Sequence, residues 1–130
     1  MIRLLSLLLL VFSHGAHAQN SASTEVSFEN DVMPILNTYC VMCHLPGSEQ
    51  GGLGLYPDAW SRIVDVPSKQ SPLLQIKPGS PDESYFYIKL IDSGKSVGGS
   101  GQLMPVQQAP LDPKQIETIR LWIEQGARDN

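Results

Sequence analysis

Cys40-Val41-Met42-Cys43-His44 places two thiols and an imidazole within five consecutive residues. This C-x-x-C-H spacing is the pattern of covalent haem attachment. Each residue type is needed where it stands. Two thiols add across the two vinyl groups of one haem, so they must lie close together and point at one porphyrin edge. A gap of two residues at the end of a helix does that. His44 then lies under the ring, where its imidazole can bind the iron. Cys40 and Cys43 alone would fit zinc, dithiol redox chemistry or a small disulfide loop. His44 directly after them, in a chain that reads as exported, favours haem. Zinc would also need a fourth nearby soft ligand, and the sequence offers none.

An iron held by His44 has a second axial face. His14 and His17 fall in the expected leader, so His44 is the one histidine of the remaining chain. Met33 precedes the motif on the same helix, on the proximal side. Met42 sits between the cysteines and cannot reach round the ring. Met104 is left, in Gly101-Gln102-Leu103-Met104-Pro105. Pro105 biases the Met104 backbone towards an extended form, which helps aim the side chain. The alternative is that Met104 is an ordinary core side chain.

The motif needs a helix in front of it. Phe28, Val32, Ile35, Leu36 and Tyr39 recur at helical spacing and lead into Cys40. Pro34 fits only a first turn, so the expected start is Asn30 or Asp31. Leu45 to Leu55 is a loop with Gly47, Gly51, Gly52 and Gly54. It either brings backbone close to the ring or is plain surface. Asp58 can cap a short helix through Val64. Residues 67–79 are irregular, with prolines at 67, 72 and 78. Ser80-Pro81-Asp82-Glu83 predicts a capped helix running through Tyr85, Phe86, Ile88 and Leu90. Asp92 to Gln102, with four glycines and three serines, predicts a mobile loop. Asp112-Pro113-Lys114-Gln115 predicts a last helix with Ile116, Ile119, Trp122 and Ile123 on its apolar face and Gly126 at its end. No period-2 stretch of useful length appears. The expected fold is all-α, about four short helices around one haem. Trp60, Tyr85 and Trp122 read first as core aromatics, with Trp60 a candidate donor to a haem propionate.

The first eighteen residues read as a secretory signal peptide. Arg3 supplies the positive start, Leu4 to Phe12 the apolar run, and Ala16-His17-Ala18 the cleavage pattern, with cleavage before Gln19. The run is nine residues long, short of the ~20 that span a bilayer. An uncleaved amphipathic anchor is the alternative. Cys40 and Cys43 are the only cysteines, so no lipoprotein anchor is indicated. Residues 19–27 are small and polar and predict a flexible segment; 28–130 is the single domain. Without Arg3 the chain holds 8 basic and 13 acidic residues, a net charge of −5. No basic patch supports nucleic-acid binding, and the acidity disfavours docking on anionic membranes. The chain after the expected cleavage, residues 19–130, has 112 residues; it is marginal on its own apolar surface, and a buried haem would help it fold.

Together these features resemble a class I mono-haem c-type cytochrome, over about residues 28 to 127. The haem motif ends an N-terminal helix, a Met-Pro follows late in the chain, and a C-terminal helix comes last. In detail the chain is similar to short bacterial cytochrome c domains. The matching stretches are Asp31-Val32-Met33-Pro34-Ile35-Leu36, Pro78-Gly79-Ser80-Pro81-Asp82-Glu83-Ser84 and Trp122-Ile123-Glu124-Gln125-Gly126-Ala127. Many members hold the proximal histidine through the carbonyl of a Gly-Pro pair; here Gly54-Leu55-Tyr56-Pro57 stands instead, so the carbonyl for His44 is open.

The resemblance implies a cytochrome c fold, one covalent haem c on Cys40 and Cys43, and iron held by His44 and Met104. It implies export to the periplasm, maturation by a haem-attachment machinery, redox partner proteins and no membrane span. The expected function is single-electron transfer rather than enzyme catalysis, because both axial positions are filled. The protein would be a soluble carrier or the cytochrome subunit of an oxidoreductase complex. The alternative is a haem sensor or peroxidase-like enzyme with a displaceable Met104. A haem-free domain with Cys40 and Cys43 as a disulfide or metal pair is the third reading.

Overall fold

A computed structural model describes residues 24–130. The leader expected over residues 1–18 and the beginning of the polar segment, residues 19–23, lie outside the described residues. Among the described residues the chain is all-α, with four α-helices, short 3₁₀ turns and no strand.

The first helical stretch starts earlier than Asn30 or Asp31. Ser27 caps it: its Oγ accepts from the Asn30 N–H at 3.1 Å, and Asp31 Oδ2 accepts from the Ser27 N–H at 2.8 Å. Phe28–Val32 forms a wide π turn, and α1 continues as Met33–Tyr39. Pro34 gives the wide turn its reason. In a regular helix its ring would press on the Asn30 carbonyl four residues back. The π turn, closed by the Met33 N–H on the Phe28 carbonyl, opens the backbone just before that ring. With the stretch starting at Phe28, Pro34 therefore sits beyond the first turn in which the sequence reading placed it.

α2, Ala59–Ile63, is capped by Asp58, whose carboxylate accepts from the Ser61 N–H at 3.4 Å. α3, Tyr85–Ile91, departs from expectation at its start. Pro81–Glu83 is a separate 3₁₀ turn, Ser84 is extended, and the Ser80 side chain caps nothing. Other partners have taken over the role of the cap. The Tyr85 and Phe86 N–H groups donate to the Leu74 and Gln75 carbonyls, each at 2.9 Å. These are donors that a helix start leaves without intrahelical acceptors. Ser84, fully buried, donates to the Ser80 carbonyl at 2.8 Å and accepts from the Lys77 N–H at 2.9 Å.

α4, Pro113–Glu124, begins with the capping box of Asp112 and Gln115. It ends at Gly126, whose φ of +102° suits glycine. The Ala127 N–H reaches the Trp122 carbonyl at 2.9 Å and the Gly126 N–H reaches Ile123 at 3.0 Å, a Schellman pair. α4 packs on the first helical stretch and on α3. Trp122, 1% exposed, meets Phe28 with ring centroids 5.1 Å apart. Its indole N–H donates to the Arg128 carbonyl at 2.9 Å, so burial leaves no polar edge unpaired. Leu36, Ile63, Ile76, Ile119 and Ile123 complete the centre of the core.

The end of the polar segment is held in place. The Val26 N–H donates to Gln125 Oε1, and the Phe28 and Glu29 N–H groups donate to Asn130, at 2.8, 2.8 and 3.0 Å. No helix among the described residues is long and apolar enough to cross a membrane.

The capping box at α4 is open to a direct test. Asp112→Ala is expected to cost about 1 kcal/mol and to lower Tm by roughly 4–8 °C, read by thermal circular dichroism of the full chain. An unchanged Tm would mean that packing alone fixes the start of α4.

Candidate functional site

The residues of the C-x-x-C-H motif lie where α1 tightens and stops. The Cys40 N–H still bonds to Leu36 at 2.9 Å, and Val41–Cys43 then winds into a 3₁₀ turn. With three residues per turn, side chains three apart eclipse. Cys40 and Cys43 stand at that interval, so the two thiols share a side. They are free rather than bridged. Burial pushes the Cys40 thiol up to about 12, with Cys43 adding to the rise. Cys40 is accordingly a protonated thiol at neutral pH.

His44 is 9% exposed. Its Nδ1 lies 2.9 Å from the Leu53 carbonyl oxygen. A carbonyl can only accept, so Nδ1 carries the proton, and in the neutral ring it is Nε2 that has the lone pair. The carbonyl left open by the sequence is thus that of Leu53, the residue before Gly54. A second bond, Leu55 N–H to the His44 carbonyl at 2.8 Å, folds the loop back onto His44. The glycine-rich loop brings its backbone to the imidazole. Inside it, Gly51 and Gly52 adopt φ of +66° and +73°.

Cys40, Cys43 and His44 line a cavity of about 330 Å³, and Met104 lines the same one. Leu53, Phe86 and Leu90 give it apolar wall. Of the three methionines among the described residues, Met104 alone reaches it. Met33 and Met104 both pack against the core, but Met33 does not line the cavity, and Met42 is 76% exposed. The Met104 N–H donates to the Lys89 carbonyl at 2.8 Å, which ties the methionine to α3. The donor set suits a haem: two thiols, an imidazole and a thioether, in a surround that is partly apolar and partly lined by glutamines and Lys89. Among the described residues no three His, Cys, Asp or Glu side chains group to hold a bare metal ion.

Searches against known protein families, curated proteins and solved structures find no match. The site therefore rests on its own geometry.

Two expectations change here. Trp60 does not offer its N–H to the cavity; it donates to the Ala127 carbonyl at 2.8 Å and locks α2 to the end of α4. Residues 92–102 are tied down rather than mobile. Tyr85 Oη donates to the Ser100 carbonyl at 2.8 Å and accepts from the Ser100 N–H at 3.1 Å. Lys89 Nζ donates to the Ser93 and Ser100 carbonyls at 2.9 and 3.0 Å. Lys89 is 5% exposed, and burial holds its ammonium below the usual lysine range. Sequence reasoning passed over it, although a lone lysine in Tyr85-Phe86-Tyr87-Ile88-Lys89-Leu90-Ile91 was the available signal.

The glycines of this loop are packed positions. A Cβ on Gly99 would lie 2.7 Å from the Gly94 carbonyl oxygen and closer still to the Tyr85 ring. Gly99→Ala is expected to cost about 1–3 kcal/mol through overpacking, seen as a fall in Tm. Wild-type stability in that variant would show that the loop is free to move.

Proposed function

We propose that the chain is an exported mono-haem c-type cytochrome with the cytochrome c fold, carrying single electrons. One observation carries this reading: Cys40, Cys43, His44 and Met104, drawn from sequence positions up to 64 residues apart, line one partly apolar cavity. Haem, when bound, supplies an iron that gains and loses one electron. The chain supplies everything that fixes it. Cys40 and Cys43 hold the ring edge through thioethers. His44 presents Nε2, oriented by the Leu53 carbonyl. Met104 presents its thioether from the loop after α3. Ligation by His and Met raises the reduction potential relative to His and His.

With His44 and Met104 as its two protein ligands, a bound haem iron would offer no open site to a substrate. The protein is accordingly an electron carrier, either free in the periplasm or as the cytochrome subunit of an oxidoreductase complex. Its partners are redox proteins and, during maturation, a haem-attachment machinery. A sensor or peroxidase-like role would need Met104 to leave. The tethers on Met104 and on the loop before it weigh against that role.

The test uses protein made with a haem-attachment system. Acid–acetone extraction is expected to leave the colour with the polypeptide; haem in the organic phase would overturn covalent attachment. The oxidised protein is expected to show a weak band near the red end of the visible spectrum. Met104→Ala should abolish it, lower the potential and admit carbon monoxide to the reduced iron. A band that survives this substitution would mean that another group is the ligand.

A further inference from the structure

We infer that Lys89 is the positioning residue for Met104, holding the distal ligand and its loop on α3; the inference rests on the ligand assignment proposed above. Three bonds meet at this one residue. Its main-chain carbonyl accepts from the Met104 N–H at 2.8 Å. Its ammonium donates to Ser93 at the start of the loop and to Ser100 near the end, at 2.9 and 3.0 Å. The ammonium also lies 5.9 Å from the centre of the Tyr85 ring, within the range of a cation–π contact. Tyr85 in turn binds Ser100 through two hydrogen bonds.

A lysine is a costly way to fill this position. Its neighbours on α3 are apolar or aromatic, and burying a charge is unfavourable unless it is paired or hydrogen-bonded. A leucine or methionine would pack there without that cost. What neither could do is gather two carbonyls seven residues apart. By closing that span, Lys89 shortens the free chain between α3 and Met104 to the few residues after Ser100. Gly101 passes close by: a Cβ there would come 3.2 Å from Nζ. A thioether is a neutral ligand on a flexible stem, so its place at an iron depends on the backbone that carries it. Lys89, which also lines the cavity, would supply that constraint through its bonds to the loop backbone.

The decisive comparison is among holoproteins: wild type, Met104→Ala, Lys89→Met and Asp112→Ala. Lys89→Met keeps the aliphatic stem and removes the ammonium. It is expected to retain helix content and covalent haem, to lose at least half of the weak red band, and to bind carbon monoxide at least tenfold faster when reduced. Asp112→Ala, destabilised at a residue that does not itself line the cavity, should leave band and rate as in wild type. That control separates positioning from a general loss of stability. If Lys89→Met does not fold, Lys89→Gln carries the same test. A wild-type band lost in Met104→Ala but unchanged in the folded Lys89 variant, with unchanged carbon monoxide binding, overturns this inference alone. A wild type with no Met104-dependent band overturns the ligand assignment, and this inference with it.

Discussion

The crossing of α4 over the first helical stretch is the contact on which the candidate site depends. Phe28 and Trp122 meet there, 5% and 1% exposed, with their rings tilted by 32°. Aromatic pairs of this kind contribute about 0.5–1.5 kcal/mol beyond the area they bury. The contact also sets direction. Cys40 lies one helical run beyond Phe28, so whatever anchors Phe28 aims the thiols. Trp122 is itself held by the Schellman turn, whose longer bond ends on its carbonyl. Asn130 closes the arrangement by accepting from the N–H groups of Phe28 and Glu29. These are the donors that a helix start leaves open.

α3 is attached by different means. Its first N–H groups are taken by Leu74 and Gln75, within a segment whose own backbone bonds run from Asp65 to Ile76 and from Gln75 to Val66. Its last turns carry Lys89 and, through it, the loop that leads to Met104. The two halves of the candidate site thus sit on separately anchored helices. The half with Cys40, Cys43 and His44 follows the first helical stretch, on which α4 packs. The thioether half belongs to α3 and the irregular segment before it.

Much of this was legible in the sequence where the chemistry requires neighbours in the chain. Cys40, Cys43 and His44 stand within five residues, so their meeting at one cavity was visible in their spacing. Asp112, Pro113 and Gln115 are equally local, and α4 begins where they indicate. Met104 was reached by elimination, which works only because the described chain has few candidates. Long-range partners were not legible. Ser80-Pro81-Asp82-Glu83 carries every local mark of a helix start, yet Leu74 and Gln75 satisfy the donors and shift the start to Tyr85. The glycines of residues 92–102 suggest freedom, but the Tyr85 ring leaves Gly94 and Gly99 no room for a side chain. Trp60 found a carbonyl 67 residues away.

The bond from His44 to Leu53 has an unusual genetic consequence. Its acceptor is main chain, and every amino acid at position 53 would offer the same oxygen. Point mutation there can alter packing but cannot delete the acceptor. What can displace it is a change in chain length between His44 and Leu55, because the carbonyl's place is set by the number of residues in the loop. The orientation of the imidazole is therefore insensitive to spelling and sensitive to reading distance. Drift in the side chains of residues 45–54 outside the positive-φ glycines Gly47, Gly51 and Gly52 would leave it intact, whereas a single insertion or deletion there would turn a different carbonyl toward the ring.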